Sequence, residues 1–469
     1  MLKKLKTLII WLVIFGLAAA VRLYRINNPV ADWHSWRQAD TAAVTRYYIQ
    51  NGIDLLRPRF SDLSAYPSGL ANPQGYRMVE FPFINALTAW LYHLPGFDRL
   101  SLVVFSRLVS ILFSLGSIAL LFLIVRRLSG RKTALLAALF MAALPFNVYY
   151  SRTILPEVPL VFFSLAAIYA ALNTRLLLAG IFGALALLLK PYAVIFALPI
   201  GGYLWSRYKS SLLKNWQLYL GALIAVLPLF LWRRWIMQFP EGIPSYQWLL
   251  NSDNIRFKGA WLYWLFAERL GKLILGYWGM IFFGLGLVAK KIKAEGVVYY
   301  LWSLGLLIYF AVVASGNVHH DYYQIIAVPI VCIWLAKGTV DLLDRGKKNL
   351  LAYGLLIITL GFMLAFSWYE VRGYYNVNHW EIVAAGQTAD RLLPPEAKVI
   401  APYSQDTAFL YQINRSGWPV GGELEAKIKA GATHYISVNF DQETNDLMNH
   451  CQVLTKTNTY VIIDISACL

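Results

Sequence analysis

The chain is short of charge, of acid and of cysteine. Asp, Glu, Lys and Arg make up only 14% of its 469 residues while apolar types make up 58%, and the mean hydropathy is +0.51. A soluble globule carries roughly a quarter of its residues as charges, so the composition excludes one and indicates a polytopic membrane protein. The three cysteines are too dispersed for a metal cluster: Cys332 lies in an apolar run, Cys451 and Cys468 near the C-terminus. The latter two bracket a hairpin pattern, so an oxidising compartment admits a disulfide between them, with two free thiols as the alternative. Acids are outnumbered 25 to 42 by Lys and Arg, for a net charge of +17. Nucleic acid is not the expected partner, because the cations fall in short clusters between apolar runs of about 15 to 20 residues, the length that spans a bilayer. Internal repeats and ionisable groups spread over several helix midplanes are also lacking, which disfavours a transport pore.

What is present is a series of eleven apolar segments. They lie near residues 8–24, 103–125, 134–148, 158–172, 176–189, 192–205, 218–232, 273–289, 297–315, 325–342 and 350–368. The first follows Met-Leu-Lys-Lys-Leu-Lys; Ala18, Ala19 and Ala20 would suit signal cleavage, but Val21 to Tyr24 continue amphipathically, so it reads as an uncleaved helix. With the N-terminus cytoplasmic, alternation places the clusters at 126–132, 207–214, 290–293 and 345–348 inside, together with Arg175. The same alternation sends 31–40, Glu80, 152–157 and 319–324 outside. One loop fits poorly, since Arg233, Arg234, Arg256, Lys258, Arg269 and Lys272 would also lie outside, where they meet anionic lipid or phosphate unless segments seven and eight are mispaired. From about residue 376 the pattern changes to a compact α/β unit, with a helix at 381–393, strands at 398–403 and 433–438, a helix at 423–430 and a final hairpin. The expected division is a transmembrane domain over 1–370, with a first outer loop at 25–100, and an extracytoplasmic α/β domain over 371–469.

The outer face collects the chemistry. Residues 31–40 read Ala-Asp-Trp-His-Ser-Trp-Arg-Gln-Ala-Asp, which places Asp32, His34, Arg37, Gln38 and Asp40 beside the membrane. A juxtamembrane turn anchored by Trp33 and Trp36 is the plain structural alternative. Between Arg25 and Leu100 every cation is Arg, the side chain that grips phosphate bidentately, though ion pairs to Asp54, Asp62 and Asp98 account for most of the seven. Arg37 stands apart because helical spacing puts it on one face with Asp40 and, a turn back, His34. Glu80 and Glu157 begin re-entries into apolar chain and serve either as helix caps or as bases or metal ligands. Lys190 interrupts an apolar run at a turn too short to reach far into water, which suits a phosphate partner or a snorkelling side chain. His319 and His320, followed by Asp321, Tyr322 and Tyr323, suit a metal, a sugar or a headgroup, although adjacent histidines alone are a weak metal signal.

In the order of these features the chain resembles the C-type integral-membrane glycosyltransferases, the group of dolichyl-phosphate-mannose protein mannosyltransferases and lipid A aminoarabinose transferases. The features are His-Ser-Trp-Arg-Gln-Ala-Asp after the first helix, Glu-Phe-Pro at Glu80, Ser-Arg-Thr-Ile-Leu-Pro-Glu ending at Glu157, Leu-Lys-Pro at Lys190 and His-Asp-Tyr-Tyr before the tenth segment. The resemblance, over about residues 11–340, implies an inverting transferase that takes sugar from a polyprenyl-phosphate carrier at the outer membrane face and passes it to a lipid, glycan or protein acceptor. It implies that an acid of the first loop is the base and that basic groups hold the leaving phosphate. Relatives carry a paired Asp-Glu where this chain has His34 and Ser35, so Asp40 and Asp32 compete for the base. The expected site is therefore Asp40, Asp32 and His34 for catalysis, and Arg37, Lys190 and Arg152 for the carrier phosphate. Gln38, Glu157, His320, Tyr322 and Tyr323 are expected to bind substrate, with Glu80 and His319 as ligands if a divalent ion is used. A transporter for a lipid-linked sugar is the second reading, and an O-antigen ligase or polymerase ranks below it because its large outer loop comes late in the chain.

Overall fold

The computed structural model describes residues 2–290, 293–346 and 349–468. Lys291, Lys347 and Lys348, three cations of the expected cytoplasmic clusters, lie outside the described residues. Each of the eleven apolar segments falls on helix. Among the described residues, five helices are long and apolar enough to cross a membrane: Leu102–Ser129, Trp216–Ile236, Glu295–Val312, Asp321–Arg345 and Tyr353–Leu392. A sixth results if Gly259–Ile274 and Gly279–Val288, bent by 115°, count as one span. The other apolar segments are shorter or broken, and the breaks have local causes. Leu144 precedes Pro145 and leaves the helical region (φ −57°, ψ 119°), which ends Arg131–Ala143 and starts Pro145–Tyr150. Lys190 precedes Pro191 and is fully extended (φ −151°, ψ 127°), which separates Leu176–Leu189 from the 3-10 turn Pro191–Phe196. Clash with the proline ring drives the preceding residue out of the α region in both places.

Contacts divide the chain into two compact units, which differ from a division at residue 370. One holds the residues up to Ile26, Leu108–Trp232 and Tyr246–Tyr374; the other holds Asn27–Arg107, Arg233–Ser245 and the residues from Tyr375 on. The first outer loop thus packs with the C-terminal region. In the first unit Gly279–Val288 lies flat against Val328–Arg345. A Cβ on Gly286 would come 1.9 Å from the Trp334 carbonyl, and one on Gly338 would come 1.9 Å from that of Phe282. Small residues are what let two such backbones touch. Arg22, fully buried, ties three helices together by donating to Ser114 Oγ at 3.1 Å and to the Ala142 carbonyl at 2.9 Å.

The second unit contains the helices Ser35–Asn51 and Phe83–Tyr92 and a five-stranded mixed sheet. Its strands are β1 (Lys398–Ile400), β2 (Ser416–Trp418), β3 (Ala432–Ser437), β4 (Gln452–Lys456) and β5 (Val461–Asp464), in the order β2-β1-β3-β5-β4. β1 runs parallel to β2 and β3, while β3, β5 and β4 pair antiparallel. Cys451 and Cys468 are joined across the terminal hairpin. The first loop is stitched to β2: Leu63 N–H donates to the Gly417 carbonyl at 2.8 Å, and Gly417 N–H donates to that of Ser61 at 2.9 Å. Leu63 then enters the sheet core beside Ile400, Trp418, Tyr435 and Ile463.

Candidate active site

The helix that carries the acidic motif begins at Ser35, one residue after His34, which adopts a left-handed conformation (φ 54°, ψ 38°). His34 therefore does not share the helical face of Arg37 and Asp40, which corrects the expectation from spacing. Its ring packs edge-on against Trp33, with centroids 5.0 Å apart. Arg37 and Asp40 are both buried on the helix, but they pair with other partners. Arg37 is ion-paired with Glu80. Asp40 Oδ2 accepts from Arg77 Nη2 at 2.8 Å, and its Oδ1 accepts from the Thr407 hydroxyl at 2.7 Å.

The two competing acids differ in surroundings. Asp32 has no exposed side-chain surface, and its Oδ2 lies 3.3 Å from Arg107 Nη2. Its Oδ1 accepts from Gln38 Nε2 at 2.9 Å, so the amide expected to touch substrate orients this carboxylate. Asp40 instead lines a small pocket with Arg37, Thr41, Arg77, Glu80 and Asn85. Two further acids sit near it. Burial pushes Asp62 up to about 7 against the opposing Ser64 hydrogen bonds, with the Asp40 charge adding to the rise. Burial likewise pushes Asp406 up to about 6, again reinforced by Asp40 and opposed by the Ala408 N–H it accepts.

The remaining motifs assemble within the other unit. Glu157 opens the helix Glu157–Leu172 immediately after Pro156. Its Oε1 accepts from the Tyr192 hydroxyl at 3.3 Å and lies 3.5 Å from Lys190 Nζ, while its buried Oε2 has no hydrogen-bond partner among the described residues. The Tyr192 ring stands 4.7 Å from Tyr309 and 6.1 Å from Tyr323. Tyr323 stacks on Tyr322 at 4.8 Å, and His320 stacks on Tyr322 at 5.4 Å. Tyr192 thus joins the glutamate, lysine and His-Asp-Tyr-Tyr motifs, which are far apart in sequence. Asp321 accepts from the Tyr150 hydroxyl and, at 2.6 Å, from that of Tyr374. Arg152 is fully buried; it donates to the Arg25 carbonyl at 2.9 Å and lies over the Tyr149 ring. Those contacts clamp chain segments.

Among the described residues no three His, Cys, Asp or Glu side chains come together as a metal-ligand group. His319 is exposed and packs near Trp248, and the Glu80 carboxylate is committed to Arg37. The expectation of a metal held by Glu80 and His319 finds no ligand set here. Sequence reasoning overlooked Arg77, Arg107, Thr407 and Tyr192. For Arg77 an excess of Arg over Lys in the first loop was the available signal; for Arg107, which lies beyond that loop in the helix Leu102–Ser129, and for Thr407 there was none.

Residues 81–235 match the family model described as dolichyl-phosphate-mannose-protein mannosyltransferase. A protein of Aquifex aeolicus (strain VF5), described as uncharacterized, is 27% identical over 261 residues, which are 55% of this chain and 59% of its own length. The chain thus matches that relative over less than two thirds of its length. In structure, ArnT from Cupriavidus metallidurans bound to undecaprenyl phosphate superposes with a TM-score of 0.69 at 13% identity, over 97% of both chains. The oligosaccharyltransferase of Archaeoglobus fulgidus gives 0.61 at 11% identity, over 91% of this chain and 67% of its own. The mycobacterial arabinofuranosyltransferase AftD gives 0.56 at 14% identity, over 97% of this chain and 41% of its own. At such identities the likeness speaks for the fold. The chain has the fold of the C-type membrane glycosyltransferases.

Proposed function

We propose that this protein is an inverting glycosyltransferase that moves a sugar from a polyprenyl-phosphate carrier to an acceptor hydroxyl at the extracytoplasmic face of the cell membrane. The observation that carries the choice of base is the contrast between Asp40, which lines a pocket, and Asp32, which is closed inside the protein against Arg107. Asp40 takes the proton of the acceptor hydroxyl as that oxygen attacks the anomeric carbon. The bond from that carbon to the carrier phosphate oxygen breaks on the opposite side, and its electron pair leaves with the phosphate. Lys190 is assigned to the carrier phosphate and the part-buried Tyr192 to carrier or sugar, with the buried Tyr322 and Tyr323 packed beside it as support. The eleven-span arrangement, with the N-terminus cytoplasmic and the α/β region in the external aqueous phase, belongs to the same proposal.

The test is transfer of radiolabelled sugar from purified polyprenyl-phosphate donors in liposomes, with a membrane extract as acceptor. Wild type is expected to strip label from the carrier, and Asp40→Asn to bind carrier but lose transfer. Label that crosses the bilayer still attached to its carrier would overturn the proposal in favour of transport. No structural observation favours that second reading.

A further inference from the structure

Asp40 is held by an element some 367 residues further along the chain. A carboxylate held by one partner turns freely about its last bond, because that torsion has broad wells. In Asp40 the Arg77 guanidinium engages one oxygen at 2.8 Å and the Thr407 hydroxyl engages the other at 2.7 Å. Two donors on two oxygens fix the plane of the group and leave one lone pair on each oxygen for a proton. The Thr407 hydroxyl has a single hydrogen, and its other acceptor, the Trp36 carbonyl, is further away at 3.3 Å.

Thr407 is itself firmly placed. It precedes the helix Ala408–Ile413, which docks on Ser35–Asn51 and on the segment just before it. Arg46 donates to the Tyr411 carbonyl at 2.8 Å and lies over the Tyr411 ring at 3.7 Å, and Gln412 Nε2 donates to the Val30 carbonyl at 3.0 Å. Asp406, by accepting from Ala408 N–H at 2.7 Å, closes the turn on which Thr407 stands.

We propose that Thr407 is a positioning residue for Asp40, so that the C-terminal region sets the geometry of the base through one hydroxyl. This rests on the reading of Asp40 as base. The charged groups that bear on Asp40 are Arg77, Asp62 and Asp406, with Arg37 and Glu80 across the pocket and His379 acting on Asp406. Removing a donor makes a carboxylate hold its proton more tightly, whereas removing a neighbouring negative charge does the reverse.

The experiment measures kcat, the carrier KM and the pH–rate profile for wild type, Thr407→Val, Thr407→Ser, Asp406→Asn and Asp40→Asn in liposomes, with melting temperatures as a folding check. Thr407→Val is expected to lower kcat by roughly 10- to 100-fold at unchanged carrier KM, as a loss of alignment does. Its acidic limb should move to higher pH and that of Asp406→Asn to lower pH, while Thr407→Ser recovers most of the rate. A hydroxyl that only docks the two helices would alter melting temperature and leave the limbs in place, which overturns the proposal. Should Thr407→Val fail to fold, Thr407→Ser decides: a wild-type rate and limb support the role of the hydroxyl, and loss of rate in a folded Thr407→Ser overturns it. If Asp40→Asn transfers sugar normally, the reading of Asp40 falls and this one with it. If Asp40→Asn is inactive while Thr407→Val has wild-type kcat and profile, only the positioning role falls.

Discussion

Arg107 closes on Asp32 inside the protein, Nη2 to Oδ2 at 3.3 Å, with side chains 1% and 0% exposed. Arg107 also donates to the Asn28 carbonyl at 2.5 Å, so a single guanidinium ties the start of the first loop to the helix Leu102–Ser129 that follows it. With Asp40 proposed as the base, the pair is assigned to the scaffold. Asp32→Asn leaves a buried guanidinium without its counter-charge and should cost about 3 to 5 kcal/mol of stability. The check is thermal unfolding in detergent alongside transfer by the folded fraction, which should keep its carrier KM. Full stability with lost transfer would exchange the roles of Asp32 and Asp40.

Asp40→Asn should differ in its effect on transfer. The amide keeps the shape and can still accept from Arg77, but it leaves that buried guanidinium without its counter-charge, at a cost of about 3 kcal/mol of stability. In the folded fraction carrier affinity holds while transfer falls by about 10²- to 10⁴-fold, the usual worth of a general base. Single-turnover transfer at saturating carrier separates this outcome from weakened binding.

The acidic motif was legible because a helix repeats every few residues. Arg37 and Asp40 therefore share a face in the sequence as they do in the structure, and the apolar segments announce their helices through composition alone. The partners of those acids were not legible. Arg37 finds Glu80 43 residues away, and Asp40 finds Thr407 367 residues away, separations over which no local pattern operates. His34 was misplaced because a helix start depends on one residue's dihedral angles, and the spacing rule holds only inside the helix. β2 escaped notice because its three residues, Ser416, Gly417 and Trp418, are too few to alternate, and its pairing is supplied by β1 and the first loop. The terminal hairpin, with longer strands about Thr457 and Asn458, was readable.

Asp62 gives a pH signature. Its folded value of about 7 lies above the ordinary 3.8, so the native state binds its proton more tightly than the unfolded chain. The stabilisation is complete below the ordinary value and is lost as pH rises through about 7. Asp62→Asn, whose side-chain oxygen can still accept from Ser64 N–H, should therefore be more stable than wild type at about pH 8, by a few kcal/mol at most. The advantage should narrow toward about pH 5 and vanish only below the ordinary value of 3.8, where the unfolded chain is protonated too. Melting curves of both proteins at the two pH values provide the check, and a difference independent of pH would refute it.

The Arg37–Glu80 ion pair lines the same pocket as Asp40. Arg37→Gln or Glu80→Gln alone should destabilise by roughly 3 kcal/mol by stranding the other charge. The double variant should be more stable than the sum of the singles predicts, which a double-mutant cycle on melting data measures. Additive losses would show that the two charges do not depend on each other.

Cys451 and Cys468 close a short loop with a sequence separation of 17. Reduction should release about 3 kcal/mol of stabilisation from the terminal hairpin. Mass spectrometry of an unreduced digest should find the two peptides joined, and their appearance as free thiols in protein from intact cells would contradict both the bridge and the external placement of this region.

The backbone stitch between Ser61, Leu63 and Gly417 has a consequence for biosynthesis. At about 5 to 20 residues per second, the ribosome needs roughly tens of seconds after the first loop emerges to deliver the strand that completes it. Throughout that interval Leu63 lacks the sheet core that buries it, and the acidic helix lacks the turn that carries Thr407. A nascent chain cut short before residue 417 would therefore leave its earliest loop open to proteases, so quality control at the amino-terminal end would report whether the carboxyl-terminal end had been made.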